Sequence, residues 1–263
     1  MPSARIGDAT LHYLEAGTGS DALLFLHAFP LHSGMWEGQL TAFAPRFRVI
    51  APDYRGLGAS GPAPDATTME LVVSDLLMLL RQLGLRRVGV AGLSMGGYVA
   101  FELYRRAPEV VRGLALCATK ATPDTAEARA TREASAASAL AKGLDAMAAE
   151  FAPKLLRPDP APEALARVKA LIREGTKEGV AAAQRGMARR PDSVPTLSRI
   201  ACPTLAVAGE QDQLIPGAEL QRIAQTVKGA RMVRIPGAGH LPNLENPSAF
   251  NTALGSFFAT LPA

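Results

Sequence analysis

Two cysteines, one tryptophan and four histidines are all that 263 residues supply of the side chains most used for cross-linking, stacking and metal binding. With only Cys117 and Cys202, no disulfide scaffold can be built. Both end apolar runs, which suits small buried side chains; a single bridge between them stays open, and nothing demands it. No stretch reaches about 18 uninterrupted apolar residues, so no membrane span is expected. The opening Met1-Pro2-Ser3-Ala4-Arg5-Ile6-Gly7-Asp8 has no apolar signal core, and a cytoplasmic location is the expectation. Runs of one charge are also missing. The formal net charge is +4, without a Lys/Arg-rich segment, which argues against a nucleic-acid partner. The Arg-Arg pairs at 86–87, 105–106 and 189–190 read as solvated faces rather than phosphate sites. There is no internal repeat and no low-complexity segment.

What is present is ample apolar material, 48% of the residues, in a chain of a length normal for a single α/β domain. Apolar runs at Ala22–Leu26, Phe47–Ala51, Arg87–Ala91 and Val111–Leu116 lack period-two alternation, as strands buried on both faces do. Helical spacing lies between them, from Trp36 to Phe43 and from Thr68 to Leu83. Strands alternating with helices predict an α/β fold with a mostly parallel, doubly wound sheet. Residues 119–198 differ: they are Ala-rich, Pro-punctuated and free of strand-like runs. Leu140, Leu144, Met147 and Phe151 fall at helical spacing, as do Leu165, Val168, Leu171 and Ile172. We expect three or four helices here, inserted as a cap into a core formed by residues 1–118 and 199–263. The insert holds 13 Lys+Arg against 10 Asp+Glu and so carries most of the charge excess. Long inserts on such sheets sit at the strand C-termini, where ligands bind.

The pentapeptide Gly92-Leu93-Ser94-Met95-Gly96 follows one apolar run and precedes a helix-like segment. G-x-S-x-G in a strand–turn–helix context holds the serine on a strained turn with Oγ exposed, which makes Ser94 the candidate nucleophile. A serine hydroxyl needs a base, and the base an orienting carboxylate. Only His240, in Pro236-Gly237-Ala238-Gly239-His240-Leu241-Pro242 after the last strand-like run, has a candidate acid ahead of it in the order Ser, acid, His. That loop is expected to swing its imidazole over the sheet edge. Asp212 is the preferred acid, with Glu210 the runner-up. The expected oxyanion donors are the N–H groups of Met95 and Phe29, the latter in His27-Ala28-Phe29-Pro30. His27 is expected to tie loops together rather than act as a base.

These pieces, with Asp53–Ser60, Gly209–Asp212 and Gly239-His240, resemble the α/β-hydrolase superfamily over essentially the whole chain. The family usually has His-Gly at the oxyanion loop, where this chain has His27-Ala28. His27–Leu31 followed by Met35-Trp36 is similar to 3-oxoadipate enol-lactonase-like hydrolases and to cofactor-free esterases and perhydrolases. The resemblance implies a serine hydrolase that cleaves a small ester or lactone through an acyl-enzyme, with no metal and no organic cofactor. Ser94 sets it apart from the haloalkane dehalogenase and epoxide hydrolase branches, which place Asp at that position. C–C bond or thioester hydrolysis, perhydrolysis and a non-enzymatic ligand-binding role stay open, and no oligomeric state is implied. The cap is expected to supply a small apolar acyl pocket of Leu, Met and Ala side chains with Phe151.

Overall fold

The computed structural model describes residues 2–262. Its centre is an eight-stranded sheet of β1 (Ser3–Ile6), β2 (Ala9–Ala16), β3 (Ala22–Leu26), β4 (Arg48–Pro52), β5 (Val88–Leu93), β6 (Val111–Cys117), β7 (Thr204–Gly209) and β8 (Arg231–Ile235). The spatial order is β1-β2-β4-β3-β5-β6-β7-β8. Only β2 breaks the parallel run: it pairs antiparallel with β1 and with β4. β3, β5, β6 and β7 are buried at every position. Helices line both faces, so their apolar runs are continuous rather than alternating.

The helices are α1 (Glu37–Phe43), α2 (Met69–Gln82), α3 (Met95–Arg106), α4 (Ala126–Phe151), α5 (Pro162–Arg173), α6 (Lys177–Ala188), α7 (Val194–Leu197), α8 (Gly217–Thr226), α9 (Pro242–Glu245) and α10 (Pro247–Phe258). Thr68 caps α2 by accepting from Leu71 N–H at 3.3 Å, which starts the helix where an exposed N-terminus needs an acceptor. Several of the aromatics form one cluster around Phe25. Phe25 lies 5.1 Å from Trp36 and meets Phe43 edge-on at 5.8 Å, and Phe258 of α10 closes the cluster.

Register explains why distant residues meet. Leu26 pairs with Gly92, Leu93 with Cys117, Cys117 with Val207 and Gly209 with Ile235. Five parallel strands therefore end at one edge, and the loops after them share that edge. α4 to α7 occupy the connection between β6 and β7, together with a 3-10 turn at Ala152–Leu155. α4 is two helices joined at Gly143, whose φ of 78° and ψ of 179° interrupt it. Glycines let the insert lie directly on the core loops. A methyl group on Gly179 would meet Gly56 O at 1.9 Å, and one on Gly186 would meet Thr67 O at 1.8 Å.

Cys117 is buried, Cys202 half-buried, and both are free thiols. Among the described residues no helix is long and apolar enough to cross a membrane. One expectation needs correction. Arg190 is not on a solvated face: it is buried, held by Asp124 and stacked at 4.2 Å over the Tyr98 ring.

Candidate active site

Ser94 stands between β5 and α3 with φ 56° and ψ −111°, a backbone conformation few side-chain-bearing residues adopt. The surroundings hold it there. Ser94 N–H donates to Cys117 O at 2.9 Å, while Thr119 Oγ1 and Gly97 N–H donate to Ser94 O at 2.8 and 2.9 Å. The flanking glycines are steric requirements. A methyl on Gly92 would lie 2.4 Å from Gly96 O, and one on Gly96 would lie 2.1 Å from Leu26 O. The strand and helix thus approach too closely for any Cβ at either position.

His240 and Asp212 come from the loops after β8 and β7. Asp212 Oδ2 lies 2.9 Å from His240 Nδ1, and both side chains are almost fully buried. Asp212 Oδ1 accepts from Leu214 and Ile215 N–H at 2.8 and 3.0 Å, which fixes the carboxylate plane. With Asp212 as acceptor, Nδ1 carries the proton and Nε2 is left with a free lone pair. Glu210 does not approach the imidazole; it is exposed and accepts from Gly237 N–H at 3.3 Å.

The histidine loop packs closely against its neighbours. A methyl on Gly209 would meet Gly239 O at 1.8 Å, and one on Gly239 would meet Arg157 N at 2.3 Å. These glycines allow close packing. Glu245 clamps the loop further, its two oxygens accepting from Gly239 N–H at 2.7 Å and Arg157 N–H at 2.8 Å. Burial raises the Glu245 carboxyl above its ordinary value, against those two hydrogen bonds. Sequence reading passed over Glu245, although an acid five residues beyond the histidine in a Pro-bounded turn was a visible signal.

Ser94 and His240 line one cavity of about 190 Å³. No direct hydrogen bond joins their side chains among the described residues; such bonds are often long before substrate arrives. Phe29 also lines this cavity. Its loop is pinned by Leu31 N–H donating to Ala28 O at 2.9 Å and by Ala28 N–H directed at Met35 Sδ at 3.2 Å. Neither Phe29 N–H nor Met95 N–H is taken by a loop or side-chain acceptor among the described residues. Met95 is the first residue of α3, where amides lack intrahelical partners and the helix dipole is positive.

His27 is fully buried and stacks on Tyr54 at 3.9 Å. Its Nδ1 faces Ala28 O at 3.1 Å, and its Nε2 accepts from Tyr54 N–H at 3.2 Å. Burial lowers its pKa to about 4, so it is a neutral bridge between two loops. Asp53 organises the next layer, accepting from Ser33 N–H at 2.7 Å and Ala59 N–H at 3.0 Å and holding His12 Nδ1 at 2.7 Å. Burial opposes its charge, yet the His12 bond, His27 and Ser33 hold its pKa at about 2.

The remaining wall is mixed rather than apolar. Phe151, Leu155 and Met187 from the insert and Leu214 and Ile215 from the β7–α8 loop are joined by Lys120 and Arg132. Leu140 and Leu144 do not line it. A larger groove of about 610 Å³ beside the ends of α2 and α3 is lined by Leu77, Arg81 and Arg106 and contains no paired acid and base. Among the described residues no group of three or more His, Cys, Asp or Glu is placed to hold a metal ion.

A family model described as alpha/beta hydrolase fold matches residues 21–247. The 3-oxoadipate enol-lactonase 2 of Acinetobacter baylyi is 28% identical over 251 residues, covering 94% of this chain and 92% of that protein. The pimeloyl-[acyl-carrier protein] methyl ester esterase of Nitrosomonas europaea is 30% identical over 254 residues, covering 92% and 97%. Among solved structures, a thermophilic esterase from Thermogutta terrifontis superposes with a TM-score of 0.93 at 38% identity, covering 97% of this chain and 95% of that one.

Proposed function

The chain belongs to the alpha/beta hydrolase family, and from that membership we propose that it is a serine hydrolase cleaving a carboxylic ester or lactone of a small molecule. The observation that carries this reading is the buried Asp212–His240 pair, 2.9 Å apart, facing the same cavity as the strained Ser94. Ser94 Oγ attacks the carbonyl carbon while His240 Nε2 takes its proton. Asp212 holds the Nδ1–H tautomer and stabilises the imidazolium. The N–H groups of Phe29 and Met95 bind the oxyanion, where preorganised donors act most strongly. His240 then returns the proton to the departing alkoxide, which leaves as an alcohol or, from a lactone, stays on the acyl chain. Water, deprotonated by His240, then attacks the acyl carbonyl, and His240 passes that proton to Ser94 Oγ as the C–O bond breaks and the acid leaves.

Residues 119–198 act as a cap in this account. Phe151, Leu155 and Met187 project from it into the cavity, whose 190 Å³ suits a compact substrate. Turnover of short-chain esters and lactones by the purified protein and its Ser94→Ala variant tests the reading. Ser94→Ala is expected to lose about 10³-fold or more in kcat/KM with an unchanged unfolding midpoint. Undiminished activity in that variant overturns it.

A further inference from the structure

The wall of the Ser94 cavity that holds Lys120 and Arg132 carries an excess of positive charge. Asp124 sits below it, buried, with both oxygens engaged by guanidinium groups. Arg190 approaches them at 2.7 Å, and Arg132 Nε donates to Oδ2. Arg132 also donates to Gln184 Oε1 at 2.9 Å, which fixes it against the α4–α6 seam. Burial disfavours the Asp124 charge, but Arg190 and Arg132 keep its carboxyl far below the usual carboxylate range. Three cations, Lys120, Arg132 and Arg190, thus stand against two carboxylates, of which only Asp124 is paired with them. Glu219 also faces the group, with one buried oxygen that has no hydrogen-bond partner in this arrangement.

Lys120 is the cation left over. It follows Thr119, the residue that anchors Ser94 O, so its stem starts beside the nucleophile. Its side chain is only 25% exposed, and its Nζ reaches no closer to Asp124 than 3.8 Å, beyond a hydrogen bond. An ammonium held only by this 3.8 Å ion pair keeps its donors available to an anion in the cavity that it lines. Burial, and after it Arg190, pushes the Lys120 ammonium below its ordinary value, against the opposing pull of Asp124 and Glu219.

We propose that Lys120, supported by Arg132, forms an anion subsite in the Ser94 cavity that selects esters or lactones carrying a carboxylate a few bonds from the scissile carbonyl. This deepens the hydrolase reading and rests on it. The same small volume that takes the acyl or lactone group then also orients it. The carboxylate bonds to Nζ and leaves the carbonyl over Ser94 Oγ. Apolar contacts with Phe151, Leu155 and Met187 fill the space between.

The test compares half-esters with neutral isosteres: monomethyl succinate, glutarate and adipate against methyl esters in which an isopropyl group replaces the carboxylate. A charge-assisted hydrogen bond is worth about 1.5–3 kcal/mol, so the wild type should favour its best half-ester by about 10–100-fold in kcat/KM. That preference should shrink in high salt. Lys120→Met should cut the ratio about tenfold or more, and Lys120→Arg should restore most of it, which a folding defect would not. Wild-type turnover of isosteres and half-esters at equal rates for all three lengths overturns the subsite and leaves the hydrolase reading standing. Hydrolysis of neither series, with simple short-chain esters also untouched, overturns the hydrolase reading and the subsite with it.

Discussion

Ser94 is where backbone strain and the proposed chemistry meet. Its φ of 56° persists because Thr119, Gly97 and Cys117 all bond its peptide groups. The cost of that conformation is met by a packing that admits no Cβ at Gly92 or Gly96. Gly96→Ala would drive a methyl to 2.1 Å from Leu26 O, which must displace the β3–α3 contact. It should lose about 1–3 kcal/mol in urea unfolding and most of the activity, since the same shift moves the Met95 N–H. At His240 the decisive partner is Asp212. Asp212→Asn should lower kcat about 10³-fold or more while the protein stays folded, because an amide no longer holds the productive tautomer. Glu210→Gln should leave kcat within about twofold, as its carboxylate only meets Gly237 N–H. Equal losses in the two variants would show that the acid has been misassigned. The turn at G-x-S-x-G was legible because it depends on local sequence, and Asp212 and His240 were nominated by their order along the chain and their loops after strand-like runs. Lys120, Arg132, Asp124 and Arg190 were not, because up to 70 residues separate the partners and only the folding of α4 against α6 brings them together.

At the level of elements, the insert from α4 to α7 was legible as helix but not as a surface. Leu140, Leu144, Met147 and Phe151 share one helical stripe by spacing, yet Gly143 breaks α4 among them. Past the break Phe151 reaches the cavity and meets Phe29 edge-on at 5.8 Å, whereas Leu140 and Leu144 point elsewhere. The break interrupts the stripe between Leu140 and Leu144, and of its four members only Phe151 lines the cavity. In the proposed reading Leu155 and Met187, which line the cavity, limit substrate length. Leu155→Ala or Met187→Ala should enlarge the cavity and move the preferred acyl chain upward by about one or two methylenes. The change in kcat/KM should correspond to about 1–3 kcal/mol per methylene, so selectivity stays graded. Chain-length profiles of both variants with straight-chain methyl esters check this; an unchanged optimum in each would mean that the insert does not bound the substrate. β1 shows the opposite case. It is a short edge strand exposed at two of its four positions, with no apolar run to announce it.

Across the whole molecule, the parallel sheet turns distance in sequence into proximity. Five strands end in register, so Phe29, Ser94, Lys120, Asp212 and His240 gather at one edge although they span most of the chain. The buried strands that do this were readable as continuous apolar runs, which is why the architecture could be read from sequence. The same architecture buries titratable groups with consequences for stability. His27 has a folded pKa of about 4 against an ordinary 6.5. The unfolded chain therefore binds a proton between those values that the folded chain does not. The contribution of a neutral His27 is complete above pH 6.5 and fades as pH falls towards 4, by about 3 kcal/mol in all. Urea unfolding across that window should show the decline in the wild type and a flatter curve in His27→Gln; parallel curves would contradict it. The central claim, that Ser94 forms a covalent intermediate with an acyl substrate, is most directly tested by treating the protein with a fluorophosphonate and mapping the adduct by peptide mass spectrometry. The account predicts one phosphonyl group per chain, on Ser94, with activity lost in step and no labelling of Ser94→Ala. Full activity after stoichiometric labelling elsewhere, or an adduct confined to another residue, would contradict it.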